Sequence, residues 1–183
     1  MRITVFGGSS PLPGELAYQQ AYELGKLIGE AGFAVLTGGY IGTMEAVSRG
    51  VFEGGGHVIG VTCDQIEAWR PVVPNKWIQE EMRFATIEER MYALIKECDA
   101  ALVLPGGIGT LAEFAVMWNQ IQTQGISSRP LIFIGRGWRV VMDQFYDQFG
   151  EYVPQQYRSL VNFSQDIQHA FRFLIENSDP NPD

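Results

Sequence analysis

Short apolar runs alternate with longer amphipathic segments along the whole chain. Five runs rich in Val, Ile, Leu or Phe are predicted to form buried parallel β-strands, at residues 3–6, 34–37, 57–61, 100–104 and 131–134. Between the first two runs, apolar residues recur at steps of three and four, which is the spacing of one buried helical face. The predicted face of that helix consists of Ala17, Ala21, Leu24, Ile28 and Ala31.

The same periodicity predicts helices after the other strands. They span residues 44–53, 87–98, 110–123 and 138–149, and a last helix begins after Ser164, its predicted N-cap. This last helix is predicted to bury Ile167, Ala170, Phe171, Leu174 and Ile175. Because parallel strands need helical crossovers that cover both faces of a sheet, the alternation predicts an α/β fold with a doubly wound parallel sheet flanked by helices.

No internal repeat or long linker divides the chain. We therefore predict a single domain over residues 1–176, followed by a polar, proline-containing tail at 177–183 that we expect to be flexible. Residues 64–77 are predicted to form an irregular excursion at the edge of a pocket. In doubly wound sheets ligands bind beyond the carboxyl ends of the strands, so the strand-to-helix turns are the places to search for chemistry.

Composition narrows the functional classes. With 183 residues, of which 46% are hydrophobic and 19% charged, the chain can bury a core. Thirteen Lys and Arg residues against 21 Asp and Glu residues give a net charge of −8, which opposes binding to nucleic acid. No apolar run approaches the ~18 residues that a membrane span needs, so no membrane association is expected. The two cysteines form no CxxC pair and the two histidines stand alone, which predicts a cytoplasmic protein without a metal site.

Three glycine-rich turns follow predicted strands, at residues 7–10, 38–42 and 105–110. Glycine lets the backbone approach a ligand closely, and the helix that follows points free N–H groups at it, so a phosphate group suits such a turn. Three turns at one edge of a sheet favour a nucleotide phosphate over empty tight turns. The chain has neither GxxxxGK[ST] nor a GxGxxG turn with the matching acidic residue, which argues against P-loop NTPases and dehydrogenases.

Two charged residues occupy apolar surroundings. Glu113 is the only charged residue between positions 100 and 128, and burial of an unpaired carboxylate would be costly. Arg90 falls on the same face of its predicted helix as Ile87 and Leu94, which turns it inward. The alternatives are a carboxylate that interacts with the dipole of its helix and an arginine that snorkels or forms a structural ion pair. A buried Arg and a buried Glu beside a phosphate-type turn favour a functional site.

The segment P-G-G-x-G-T-x-x-E at residues 105–113, preceded by Glu89-Arg90 and by Asp99, resembles the LONELY GUY (LOG) family of cytokinin-activating phosphoribohydrolases. The resemblance extends from about residue 3 to residue 135. It implies a Rossmann-like nucleotide-binding domain that forms a homodimer or a higher homo-oligomer and needs no metal or cofactor. It also implies hydrolysis of the N-glycosidic bond of purine nucleoside 5′-monophosphates, including cytokinin-type ones, to free base and ribose 5-phosphate.

The resemblance also implies roles for individual residues. Arg90 and Glu113 are the implied catalytic pair. The implied phosphate- and nucleotide-binding residues are Gly8, Ser9, Gly38, Gly39, Gly106, Gly107, Gly109 and Thr110. Members of the same superfamily bind nucleotide-like ligands, including molybdenum cofactor, without hydrolysing them, and such a carrier is the alternative function.

An older label of this family, lysine decarboxylase, does not suit this chain. A pyridoxal phosphate enzyme needs a lysine for its Schiff base, and Lys26, Lys76 and Lys96 all lie outside the glycine-rich turns. The chain also departs from the typical LOG pattern, since Met91 replaces the lysine that usually follows the catalytic arginine. Tyr40 and Glu45 in the second turn are a further departure, expected to reshape the base side of the pocket.

Overall fold

A seven-stranded sheet organises the computed structural model, which describes residues 1–177. The strands are β1 (Arg2–Phe6), β2 (Ala34–Thr37), β3 (His57–Cys63), β4 (Glu80–Phe84), β5 (Ala100–Val103), β6 (Leu131–Ile134) and β7 (Asn162–Ser164). Their spatial order is β4-β3-β2-β1-β5-β6-β7, and every neighbouring pair is parallel. The chain therefore moves outward from β1 on one side and then returns to continue from β5 on the other, which confirms the predicted doubly wound sheet.

Helices cover both faces of this sheet. They are α1 (Leu16–Glu30), α2 (Thr43–Glu53), α3 (Asp64–Trp69), α4 (Ile87–Lys96), α5 (Ile108–Gln122), α6 (Arg136–Phe149), α7 (Gln155–Arg158) and α8 (Ile167–Glu176), with a 3₁₀ turn at Gly150–Tyr152. One apolar core packs α1, α2 and α8 against the sheet. A second core packs α4, α5 and α6 against the opposite face.

Two strands, β4 and β7, are absent from the sequence prediction. β4 carries three charged residues in five positions and its side chains are exposed or half-buried, while β7 has only three residues. Both lie at the edges of the sheet, where one side of the strand faces solvent and a continuous apolar run is not needed. The segment 64–77 was also predicted wrongly in part, because its first six residues form α3.

The predicted faces of the first and last helices are partly correct. In α1, Ala21, Leu24 and Ile28 are buried as predicted, but Ala17 and Ala31 are exposed and the face is completed by Tyr18 and two glycines.

In α8, Ile167, Ala170 and Leu174 are buried, whereas Ile175 is 41% exposed and Phe171 is half-buried. The predicted N-cap was wrong: Asp166 caps α8 by accepting a hydrogen bond from the His169 N–H at 2.8 Å.

The tail predicted at 177–183 lies, from residue 178 onward, outside the described residues. Among residues 1–177, no helix has both the length and the apolar character needed to cross a bilayer. In the same part of the chain, no group of three or more His, Cys, Asp or Glu side chains is placed to hold a metal ion.

Candidate functional site

The three glycine-rich turns meet beyond the carboxyl ends of the central strands. β1 and β5 are neighbours in the sheet and the chain leaves them in opposite directions, so a crevice opens between the turns that follow them. The first turn (residues 7–10) and the third turn (residues 105–110) are joined there, since the Gly8 N–H donates to the Pro105 carbonyl at 3.1 Å. A methyl group on Gly8 would lie 3.3 Å from the Gly106 Cα. Glycine at position 8 therefore favours the close approach of the two turns, because an added methyl group would crowd the Gly106 backbone.

The second turn (residues 38–42) packs against the first. The Thr43 N–H donates to the Gly8 carbonyl at 3.0 Å. Gly42 has a φ of 72°, which favours glycine, and a methyl group there would lie only 2.7 Å from the Ser9 Cα. The convergence of the three turns on one edge of the sheet, expected from the sequence, is present in the structure.

Helix α5 presents its N-terminus to this crevice. Gly107 is its N-cap and supplies no side-chain acceptor for the free N–H groups of the first turn. Methyl groups on Gly107 or Gly109 would meet no atom within 4 Å, so the space in front of these residues is open. Thr110 is buried beneath Gly106. Unpaired amides and the positive end of the helix dipole make this end of α5 suited to an anion.

Arg90 points into the protein, as its helical position predicts. Thr86 and Glu89 form a capping box at the start of α4, so the role of Glu89 is to stabilise the end of this helix. Arg90 takes no part in the capping box. Arg90 is buried, and its Nε donates to the Val61 carbonyl at 2.8 Å. A methyl group on Gly38 would overlap Arg90 Nη2, so the second glycine turn gives room to the guanidinium.

Arg90 and Glu113 form an ion pair within the crevice. Arg90 Nη1 lies 3.4 Å from Glu113 Oε1, and the two side chains are 8% and 14% exposed. Burial raises the pKa of the Glu113 carboxyl, and the positive charge of Arg90 opposes that shift in part. Helix α5 has no acidic residue in its first turn, and Glu113 lies one turn further along. The alternative of a carboxylate placed for the helix dipole is therefore disfavoured, because that effect falls off beyond the first turn.

Comparison with known proteins places this site in a family. The sequence profile of the SLOG cluster4 family matches residues 1–127. The chain belongs to this family. Its predicted resemblance to LOG proteins is thereby confirmed, and the glycine turns, Arg90 and Glu113 all fall within the matched residues.

Curated relatives of this SLOG chain carry a common name. The probable cytokinin riboside 5′-monophosphate phosphoribohydrolase LOGL5 of Oryza sativa subsp. japonica is 35% identical over 163 residues, which cover 84% of this chain and 59% of the relative. The cytokinin riboside 5′-monophosphate phosphoribohydrolase LOG of the same organism is 35% identical over 156 residues, covering 83% and 60%. The chain spans about three fifths of the length of these curated relatives.

The fold of this SLOG protein is shared with solved structures. The molybdenum cofactor binding protein from the phototrophic bacterium Rippkaea orientalis superposes with a TM-score of 0.74 at 21% identity, over 96% of this chain and 95% of that one. At this level of identity the likeness shows a common Rossmann-like fold.

One polar residue that shapes the second turn, Asn75, was not predicted as part of the SLOG site. Asn75 Nδ2 donates to the carbonyls of Gly39 and Tyr40 at 3.1 and 3.0 Å, and the Asn75 N–H donates to Gly39 as well. Gly39 has a φ of 80°, and these hydrogen bonds hold it there. The only signal in the sequence is an asparagine in an irregular stretch, which is typical of turns.

Tyr40 is a structural residue. Its hydroxyl accepts from the Cys63 N–H at 2.8 Å and donates to the Cys63 carbonyl or to Glu67, and its ring is 1% exposed. It therefore ties the second turn to the end of β3, and its effect on the base side of the pocket stays a prediction. Glu45 is half-buried on α2, and its effect on base selection stays a prediction.

None of the three lysines belongs to the crevice turns. Lys26, Lys76 and Lys96 are all exposed, on α1, on the segment after α3 and on α4. None of them accompanies the Arg90–Glu113 pair, which agrees with the rejection of a lysine-dependent decarboxylase.

Proposed function

We propose that this protein hydrolyses the N-glycosidic bond of purine nucleoside 5′-monophosphates, cytokinin-type ones included, to free base and ribose 5-phosphate. The observation that carries the proposal is the buried Arg90–Glu113 pair beside the open N-terminus of α5. The names of the curated relatives, which describe cytokinin riboside 5′-monophosphate phosphoribohydrolases, support the same reaction.

The 5′-phosphate binds at the N-terminus of α5. The free N–H groups at the start of α5, which are those of Gly107, Ile108, Gly109 and Thr110, donate to its oxygens, and the helix dipole favours its negative charge. Gly106 allows the first and third turns to touch. Because these turns are in contact, Gly8 and Ser9 of the first turn border the nucleotide whose phosphate is held by α5. This placement brings the ribose toward Glu113, one helical turn further along α5.

Glu113 acts on the anomeric carbon of the ribose. Its carboxylate takes a proton from a water molecule whose oxygen bonds to C1′. The bond between C1′ and the base nitrogen breaks and its electron pair leaves with the base. The base takes up one proton from solvent, and the Glu113 carboxyl releases the proton that it accepted, which restores the carboxylate. The same carboxylate stabilises the positive charge that develops on the ribose, and the low exposure of the crevice strengthens this interaction.

Arg90 positions that carboxylate. Its Nε is fixed by the Val61 carbonyl, which leaves Nη1 directed at Glu113 and Nη2 beside Gly38. The guanidinium also favours the ionised form of Glu113, whose pKa burial alone would raise further. A nucleotide carrier would need the amides of α5, but it would not need this buried pair.

The active protein is a homodimer or a higher homo-oligomer. Phe114, Met117 and Ile121 bury one side of α5, while Ile108 and Leu111 on its other side are 81% and 39% exposed. This face is uncharged in a chain whose net charge is −8, so two copies can meet there without the repulsion that the rest of the surface imposes.

Incubation of the purified protein with AMP tests the reaction. Adenine and ribose 5-phosphate are expected in equal amounts by chromatography, and a panel of N6-substituted nucleotides identifies the preferred base. A chain that binds AMP in calorimetry and releases no adenine over a long incubation is a carrier, which is the alternative function.

A further inference from the structure

Arg70 lies beside the first glycine turn, although it is remote from that turn in sequence. It is the first residue after α3, it is half-buried, and its Nη1 lies 3.4 Å from the Ser9 hydroxyl. Its guanidinium is 5.5 Å from the centre of the Trp69 ring, a distance at which the aromatic face attracts a cation. A positive charge is therefore held next to the turn that borders the crevice.

The side-chain N–H groups of Arg70 make few hydrogen bonds within the described residues. Its Nε is buried and has no hydrogen-bond partner among the described residues, and no carboxylate of that part of the chain lies within ion-pair distance. By contrast, Arg90 pairs with Glu113, and Arg129 and Arg158 donate to backbone carbonyls. The Arg70 guanidinium therefore keeps hydrogen-bonding capacity and a positive charge that no described residue uses.

The position of Arg70 indicates which acceptor it meets. Ser9 directly follows Gly8, whose N–H is bonded to Pro105 at the start of the third turn. The Ser9 hydroxyl and the Arg70 guanidinium thus lie at the first turn, which is bonded through Gly8 to the turn that opens α5. At 3.4 Å their mutual hydrogen bond is long, and a neutral hydroxyl makes little use of a guanidinium. A phosphate dianion satisfies both groups, because a guanidinium binds phosphate with two parallel hydrogen bonds.

We propose that Arg70 binds the 5′-phosphate of the substrate, together with the Ser9 hydroxyl and the amides of α5. This inference rests on the proposed function only in that it places a sugar phosphate at α5. It assigns to the segment after α3 a direct part in substrate binding, and it makes Arg70 a determinant of specificity for phosphorylated over unphosphorylated nucleosides.

Calorimetric titration with ribose 5-phosphate and with adenosine tests the proposal, since neither compound is turned over by the proposed reaction. Arg70→Gln is expected to weaken ribose 5-phosphate binding at least tenfold and to leave adenosine binding within twofold of the wild type. Arg172→Gln, which removes an exposed arginine of α8, is the matched control and is expected to leave both affinities within twofold.

Three results would overturn the proposal. They are an unchanged affinity of Arg70→Gln for ribose 5-phosphate, an equal loss for ribose 5-phosphate and adenosine, and no binding of ribose 5-phosphate by the wild type. Should Arg70→Gln not fold, Arg70→Lys replaces it: several-fold weaker binding of ribose 5-phosphate is expected, because an ammonium group lacks the planar fork, and equal binding would overturn the proposal.

These measurements are independent of catalysis. Loss of ribose 5-phosphate binding in Arg70→Gln, in a protein that releases no adenine from AMP, would support Arg70 and refute the hydrolase. If the protein releases adenine from AMP and Arg70→Gln binds ribose 5-phosphate as tightly as the wild type, the hydrolase is supported and the role of Arg70 is refuted.

Discussion

Glu113 holds its carboxylate in a crevice where ionisation is unfavourable, and burial raises its pKa accordingly. A buried ion pair contributes little net stability, because desolvation of the two charges offsets their attraction. The hydrogen bond from Arg90 to the Val61 carbonyl would anchor the arginine without any carboxylate nearby. At the scale of single residues, the pair is therefore better explained by chemistry than by stability.

Gly38 offers a test of how tightly Arg90 must be positioned. Gly38→Ala is expected to lower adenine release from AMP by about 10²-fold, because the added methyl overlaps Arg90 Nη2 and displaces the guanidinium. Gly137→Ala is the control, since a methyl there meets no atom within 4 Å and the residue lies in α6. The rate of adenine release from AMP is measured for both variants by steady-state kinetics. Similar rates for Gly38→Ala and Gly137→Ala would contradict the assigned position of Arg90.

At the scale of secondary-structure elements, most of the helices, strands and turns could be predicted from the sequence. The glycine turns and the inward Arg90 follow from local patterns, because turn residues and helical spacing are set by neighbours in sequence. The contact between Arg70 and Ser9, and the hydrogen bonds of Asn75 to the second turn, join residues more than thirty positions apart. No periodic or turn signal marks such pairs, so they could not be predicted from one sequence.

The N-terminus of α5 can be tested as an element by removing one of its free N–H groups. Ile108→Pro deletes the N–H of the first helical residue, where proline is well tolerated, and Gly107 before it is already extended. It is expected to weaken ribose 5-phosphate binding about tenfold, the effect of one charge-assisted hydrogen bond worth ~1.5 kcal/mol.

Ile108→Ala is the control for that substitution, because it removes the same exposed side chain and keeps the N–H. Isothermal titration of the two variants should separate them, and equal affinities would mean that the phosphate is held elsewhere.

At the scale of the whole molecule, the strand order decides where the site lies. Reversal of direction between β1 and β5 opens the crevice, and the first and third turns border it because they follow these two strands. The doubly wound sheet was predictable, since the alternation of buried strands and helices requires it. The edge strands were not, because β4 is charged and β7 is short. The boundary of a single domain at residue 176 stays a prediction.

The uncharged face of α5 predicts the assembly state. Leu111→Asp places a carboxylate on the face proposed to join two copies, and light scattering is expected to show a monomer where the wild type is a dimer or larger. Val140→Asp, on an exposed part of α6, is the matched control and should keep the wild-type mass. A monomeric wild type, or an unchanged mass for Leu111→Asp, would contradict the proposal that this face of α5 joins two copies of the chain.

The central claim is that the buried carboxylate performs the hydrolysis and does not merely line a binding site. It is tested most directly by adenine release from AMP in wild type and Glu113→Gln, measured at saturating AMP with the affinity for AMP determined in parallel. The account predicts at least a 10³-fold lower rate for Glu113→Gln, with AMP affinity within about fivefold of the wild type. Equal rates of adenine release in the two proteins would contradict it.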